Sequence, residues 1–488
     1  EARLLLDRRG GRGLVSGLAL DQVLDGHAAF LADLGEPEPA LERRRRALGR
    51  LRDLGLPTRR HEAWRYTDVR HLAKDGFAAA PGAERATVAP SALDRFTYWE
   101  DGAARLVLVD GHFRPELSRL DGLPAGVELT SIRERLAAGD AEVLAALGAT
   151  FDEEDRAFAL LNSAWLAGGA VLRVGAGTRL ERPVHLLHLT SGAVPAHIAS
   201  IRHLVLVERG AECRVVERFA SLAEGAPTGT NVVTEARVAD GAALEHLRVQ
   251  REGRGTTHLG VLAATLGRDA RLRSVQLGVG ARLGRNEVVV RLEGGNAEAE
   301  LFGLSLARGE AHLDTQVRVE HAASHARSRQ TFRSIVADAA SAVFNGAIRV
   351  PADVAGSDAE QSSANLLLSA RAAVYTKPQL EIDAEDVRCS HGARSAPSIA
   401  TSSSTSAAAV SRGAGARDPH RGLRRRDRRR GHRARHRRAP AGLPPRVAPR
   451  RGGRRGSGAM NRELTAPTAP APSIPRPVAR TSPRWPRR

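Results

Sequence analysis

From Ala170 onward, apolar and polar residues alternate with a period of two, in segments reading VLRV, VHLLHL, HLVLVE, CRVVE, LEHLRV, VLAATL, RLRSVQL, EVVVRL, AELFGLSL and DTQVRVE. Alternation at this period marks strands that bury one face, and the Gly, Asp and Asn residues between the segments mark turns. A longer regularity overlies it. A turn residue followed by alanine recurs in GAECRV at Ala211, GAALEHL at Ala242, DARLRSV at Ala270 and NAEAELF at Ala297. After a longer gap it returns in DAASAVF at Ala339, and once more in SARAAVY at Ala372. Several strands within a drifting period of about 30 residues predict a solenoid, whose turns bury their apolar faces only against each other. The expected fold class is mainly β, a β-helix rather than a sandwich, whose strands would carry no long repeat.

Residues 1–165 follow a helical or mixed pattern instead. In PEPALERRRRALGRLRDLGLP, Pro37 and Pro39 precede a helix that places Leu41, Ala47, Leu48 and Leu51 on one face and stops at Gly55 and Pro57. Its arginine run is expected to be a solvated face. A second helix is expected over Ser131–Leu147, and LNSAWLAGG then leads into the first strand, with Gly168 and Gly169 as the turn and Asn162 as a capping or backbone-bonding residue. The domain plan is therefore 1–165 helical or mixed, 166–393 β-helix, and 394–488 a tail.

Charge separates that tail from the rest. The chain carries a formal net charge of +19, which by itself suggests a nucleic-acid binder. Residues 395–488 hold 24 Arg, no Lys and 3 acidic residues, whereas residues 1–394 hold 50 basic and 52 acidic ones. The body is thus near neutral, which removes the charge argument for nucleic acid from the part that folds. The tail also carries 13 of the 25 prolines and a single aromatic, Trp485, so it cannot bury enough apolar surface to offset the entropy of ordering and is expected to be disordered. Cys213 and Cys389 are too few for a disulfide framework, and there is neither a signal peptide nor a long apolar run. A cytoplasmic location with no membrane contact is expected.

Three stretches carry candidate chemistry. In RRHEAWRYTDVRHL, Trp64 and Tyr66 stand beside Glu62 and Arg65, an arrangement that reads as a packing anchor. In AHLDTQVRVEHAASHARS, His312, Asp314, His321 and His325 are candidate metal ligands; His312 and Asp314 share a strand face, but spacing fixes no third ligand. Cys389 and His391 are also two apart and project to one face of an extended chain. A thiolate and an imidazole suit iron or zinc, yet they half-fill a tetrahedral site, so the other ligands would come from another strand or another subunit. A nucleophilic Cys–His pair would need an orienting residue and an oxyanion hole, which the neighbouring sequence does not supply. Spacing alone leaves structural and functional readings open.

Taken together, EAWRYTD, LNSAW, VFNGAIRV and DAEQSSANLLLSARAAVYTKPQLEIDAEDVRCSHGA resemble the SufB/SufD family of iron–sulfur cluster assembly proteins, and the CSHGA ending is similar to the SufD branch. The resemblance runs from about residue 58 to 393 and is densest from Gln361 to Ala393. It implies a right-handed parallel β-helix between helical regions. It also implies a non-catalytic scaffold subunit that pairs with SufB through the β-helix edge and works with the ATPase SufC, whose ATP-driven dimerisation remodels the interface where a cluster forms. His391, with Cys389 beside it, would be a ligand of a transient iron–sulfur cluster shared with SufB; a reduced flavin is a further possible cofactor of the complex.

In that family CSHGA continues into TVG and LFYLRSRG, ahead of helices that bind SufC. Here the pattern stops at Ala393. Codons for ARSAPSIATSSSTSAAAVS can be chosen so that the neighbouring frame reads TVGALDRDQLFYLRSRGL, which makes residues from about 394 onward read as an out-of-frame replacement of the SufC-binding region. Two other classes compete. An arginine-rich nucleic-acid binder would show strongly salt-dependent affinity, and a β-helix enzyme acting on polysaccharide would need aromatic platforms that a chain with 3% aromatics hardly supplies.

Overall fold

Strands that bury one face and meet a like strand on either edge stack into a ladder, and that is what the alternating segments do. The structure is a computed structural model that describes residues 24–79, 87–96, 102–193 and 196–397. Four short strands, β1 (Ala78–Ala79), β2 (Arg105–Val109), β3 (His112–Phe113) and β4 (Val127–Ser131), precede the solenoid. Its first half comprises β5 (Gly168–Val174), β6 (Val184–Thr190), β7 (His197–Val207), β8 (Glu212–Ser221), β9 (Gly229–Val238), β10 (Ala243–Arg251), β11 (Thr257–Leu266) and β12 (Arg271–Gly278). The second half comprises β13 (Leu283–Leu292), β14 (Glu298–Ala307), β15 (His312–His321), β16 (Arg327–Val336), β17 (Ser341–Val350), β18 (Ser357–Leu367), β19 (Ala373–Ile382) and β20 (Val387–Pro397). Odd-numbered strands pair in parallel in one sheet and even-numbered strands in a second, giving a β-solenoid of about eight turns. Its N-terminal end is closed by β4 against β5 and by β2 against β6, whereas among the described residues β19 and β20 each have one neighbour. The tail expected from residue 394 contributes Arg394–Pro397 to β20, and from residue 398 on it lies outside the described residues.

The turn-plus-alanine signal has a physical cause. At the corners leading into even-numbered strands, Gly210, Gly241, Asp269, Asn296 and His325 adopt positive φ, and each is followed by an alanine, Ala211, Ala242, Ala270, Ala297 or Ala326, with 0% exposure. The left-handed conformation favours Gly, Asn and Asp, and the inward corner has room only for a methyl group. The carbonyl groups of these alanines accept hydrogen bonds from the next turn, as in Ala243 N–H to Ala211 O at 2.8 Å and Arg327 N–H to Ala297 O at 2.8 Å. The longer gap between Ala297 and Ala339 is therefore a change of corner. Ala339 and Ala372 lie at corners leading into odd-numbered strands, while Ala326 continues the first series.

The helical region covers the outer face of the odd-numbered sheet. The helix Ala157–Ala164 is buried along its length, and Asn162 donates to the carbonyls of Ile201 at 2.8 Å and Asn231 at 2.9 Å while Asn231 donates back to Phe158 O at 2.9 Å. Beside it, fully buried Arg202 bonds Glu235 at 2.6 Å and Glu153 at 3.0 Å. Three expectations change here. The arginine run of Glu38–Leu54 is not wholly solvated, because Arg44 is buried and makes a two-pronged contact with Glu36, both bonds at 2.7 Å. The helix expected over Ser131–Leu147 is two, Ile132–Ala137 and Ala141–Ala146, because Gly139 takes positive φ and Asp140 caps the second. Gly168 and Gly169 form no turn but open β5; a Cβ on Gly169 would sit 1.6 Å from the Arg202 carbonyl oxygen.

The interior divides into an apolar stripe, with Val205, Ala236, Ala264, Val290 and Val319 in successive turns, and a polar one. In the polar stripe Glu217 accepts from Thr234 at 2.6 Å and from Arg248 at 2.9 Å and lies 3.2 Å from His246 Nε2. Burial alone would raise this carboxyl, but Arg248 and His246 outweigh it and hold it well below the usual range. The Ala170 N–H donates to His203 Nδ1 at 3.0 Å, which leaves the ring proton on Nε2, 3.0 Å from His188 Nε2. Burial pushes His203 and His321 down to about 4.

These groups fix the acid limb of stability. A histidine neutral in the fold and titrating near pH ~6.5 when unfolded contributes fully above that pH, and the contribution is lost as pH falls toward its folded value. Glu217, depressed in the fold, adds a loss below about pH 4.3, where the unfolded carboxyl protonates. The thermal midpoint followed by circular dichroism should stay level from about pH 8 to 7 and fall steadily from about pH 6.5 to 4; a midpoint unchanged at pH 5 would contradict the buried neutral histidines.

Candidate functional site

The last turn of the solenoid places Cys389 and His391 on β20, two residues apart and so on one face of the strand. In register, Cys389 lies beside Ala359, and His391 beside Gln361. Cys389 is half-buried against the cluster of Ile348, Val350, Val354 and Ala359, whereas His391 is exposed. Burial raises the Cys389 thiol above its ordinary value. Below His391 the same column continues through Gln361 and Gln330, whose side-chain amides are buried and make no hydrogen bond to protein. A polar rung thus leads from the interior to the open end.

The second cysteine occupies the same column as Cys389. Cys213, Leu244, Leu272, Ala299, Ser328, Ala359 and Cys389 follow one another across the even-numbered sheet. Cys213 is buried, and burial pushes its thiol up to about 12, so it remains protonated and unreactive. Cys389 and His391 together present one sulfur and one imidazole donor at a strand with a single neighbour among the described residues. Among the described residues no group of three or more His, Cys, Asp and Glu side chains could hold a metal ion, so this pair can bind metal only with ligands from elsewhere.

The other four candidate ligands do not form one site. His312 and Asp314 do meet, but through Thr67, whose hydroxyl donates to Asp314 at 2.5 Å and lies 2.9 Å from His312 Nε2. Asp314 is also paired with Arg285, and His312 Nδ1 lies 2.7 Å from the Ser341 hydroxyl. His321 sits at the far end of β15 facing the interior, between Ser328 at 2.8 Å and Ser357 at 3.2 Å. His325 is a corner residue with φ 63°. The strand period separates them: His312 and His321, nine positions apart, face opposite sides.

The EAWRYTD segment lies across the outer face of the odd-numbered sheet. The guanidinium of Arg285 stands 3.8 Å from the Trp64 ring centroid and donates to Ala63 O at 2.9 Å. Glu62 pairs with Lys377, and Tyr66 stacks on Tyr375 with centroids 4.4 Å apart. Sequence reasoning identified Glu62, Trp64 and Tyr66 but neither their partners Arg285, Tyr375 and Lys377 nor the contact of Thr67 with His312 and Asp314. Lys377 carried a usable signal, as one of two lysines in an arginine-rich chain.

Comparison with known proteins is consistent along the described chain. The SufBD protein N-terminal region matches residues 33–186, and the SufBD core domain of the SUF system for FeS cluster assembly matches residues 188–397. An iron–sulfur cluster assembly SufBD family protein of Synechocystis is 31% identical over 72% of this chain and 79% of its own length. The iron–sulfur cluster assembly protein SufD of Escherichia coli is 32% identical over 70% of this chain and 76% of its own length. A chloroplastic protein of Arabidopsis thaliana, ABCI7, is 29% identical over 69% and 71% respectively. The similarity therefore begins well ahead of the EAWRYTD segment and extends to the end of β20.

The two thiols should differ in reactivity. An aromatic disulfide reagent at pH 8 is expected to titrate one thiol in the native protein and both after unfolding, with Cys389→Ser removing the native reaction. Loss of the native reaction in Cys213→Ser instead would contradict the burial assigned to each.

Proposed function

The chain belongs to the SufBD family of iron–sulfur cluster assembly proteins, and from that premise we propose that it is the SufD-type scaffold subunit, pairing with SufB at the open end of the solenoid. The observation that carries the proposal is the placement of Cys389 and His391 on a terminal strand with one free edge and with no further ligands nearby among the described residues. A free parallel edge invites a partner strand, and two ligands invite a partner's ligands. The nascent cluster is cargo here. His391, exposed on the terminal strand, would supply an imidazole nitrogen to iron, and Cys389, sheltered as a thiol, would reinforce the site once iron displaces its proton.

The scaffold binds and positions, and ATP hydrolysis belongs to SufC. The contact with SufC is assigned to the segment from about residue 394 onward, close to where the family match ends at residue 397; that arginine-rich segment departs from the family pattern, so SufC binding is impaired while pairing with SufB persists. No helix among the described residues is long and apolar enough to cross a membrane.

Co-expression with SufB and SufC, followed by iron and sulfide determination on the purified complex, tests this. His391→Ala should lower cluster content by at least about tenfold, since losing even an outer-shell partner of a ligand costs about 10–100-fold in metal affinity, with an unchanged far-ultraviolet spectrum and unchanged SufB recovery. Full cluster content in that variant would sink the ligand assignment, and normal SufC stoichiometry would sink the reading of the tail.

A further inference from the structure

β19 is the C-terminal edge strand of its sheet among the described residues. Among these residues it has β17 on one side only, and none of its residues is buried, whereas β17 buries alternate positions along most of its length. The N–H groups of Ala373 and Asp383 bond the carbonyls of Ala340 and Val350, so odd-numbered positions face β17 and even-numbered ones face outward. Pro378, lacking an N–H, occupies an outward position, where its missing donor costs no ladder bond. A strand with a one-sided ladder, whose Val374, Leu380 and Ile382 pack on the core only partly buried, should fray.

Side chains from residues 62–67 meet it on its outer face. Tyr66 stacks on Tyr375 at an interplanar angle of 14°, and Glu62 pairs with Lys377. The same segment is anchored on deeper strands, with Trp64 and Ala63 on Arg285 of β13 and Thr67 on His312 and Asp314 of β15. Between anchor and tip it spans β17, over a cavity of about 130 Å³ whose lining includes Phe344 and Asn345. The Glu62–Lys377 pair is exposed and contributes little; the tyrosine stack is the stronger contact.

We infer that residues 62–67 form a clasp that fixes the register and order of β19, with Tyr66 and Tyr375 as positioning residues for the edge that receives the partner subunit. This rests on the reading that the partner pairs at the open end. An edge already ordered spares the complex the entropy of ordering it on binding, so loosening the clasp weakens association without removing any contact with the partner.

Two measurements on the full chain test it separately. Hydrogen exchange of the isolated protein should show the inward amides of β19, Tyr375 and Lys377 among them, exchanging about threefold to tenfold faster in Tyr66→Ala, the scale of one aromatic pair. Amides of β13 and the thermal midpoint should stay unchanged, and Tyr66→Phe should restore the slow exchange. Titration with purified SufB should then show affinity weakened by a similar factor in Tyr66→Ala and restored in Tyr66→Phe. Unchanged exchange in Tyr66→Ala overturns the clasp, whatever SufB does. Faster exchange with undiminished SufB affinity overturns the positioning role and, with it, pairing at this edge. If the unaltered chain fails to bind SufB, only the pairing reading falls, and the exchange result still decides the clasp.

Discussion

A solenoid turn has no core of its own: two strands and two corners enclose apolar side chains on two sides, and the remaining sides close only when another turn lies above and below. Every other feature of this molecule answers to that requirement. At the N-terminal end β2 and β4 seal the first turn, and the helix Ala157–Ala164 covers the outer face through the reciprocal bonds of Asn162 and Asn231. At the C-terminal end the last turn has, among the described residues, no strand beyond it on either sheet, and the strand bearing the Cys–His pair is there. Among the described residues, the open edges of the solenoid thus lie beside Cys389 and His391.

The interior shows the same economy with less margin. Half of each turn packs methyl groups, while the other half encloses Glu217, Arg248 and several imidazoles that water cannot reach. A buried ion pair gains little over an apolar replacement, but removing one member strands the other. The polar stripe therefore acts less as a source of stability than as a constraint on which turn sits next to which, since Thr234, Glu217 and Arg248 come from three strands in the two sheets and must align to satisfy one another.

Much of this was legible from residues. Alternation located the strands because the side-chain period of a strand is fixed, and the corner alanines showed because one backbone conformation is used at every turn. The series was lost at Ala326 because His325 fills a position elsewhere taken by Gly, Asp or Asn. Arg44 was misread for a related reason: a charge run looks the same whether its partner is water or a buried Glu36. For the site, the i and i+2 spacing was enough to pair Cys389 with His391. It could not join Thr67 to Asp314, far apart in the chain, because such contacts follow from how the N-terminal region folds back over the sheet.

The corner geometry has a consequence for how such a chain can change length. The solenoid strands from β7 onward are nearly uniform in length, and the irregularity of the repeat sits largely in the corners. One residue added within a strand would turn the following side chains inside out, exposing valines and burying arginines until the next corner absorbed the error. One residue added at a corner leaves both flanking ladders intact, and a whole turn added or removed leaves each alanine carbonyl facing another N–H. Evolution along this scaffold is thus punctuated: the corners tolerate small insertions, the turns can be duplicated as units, and the strand interiors admit substitution but not slippage.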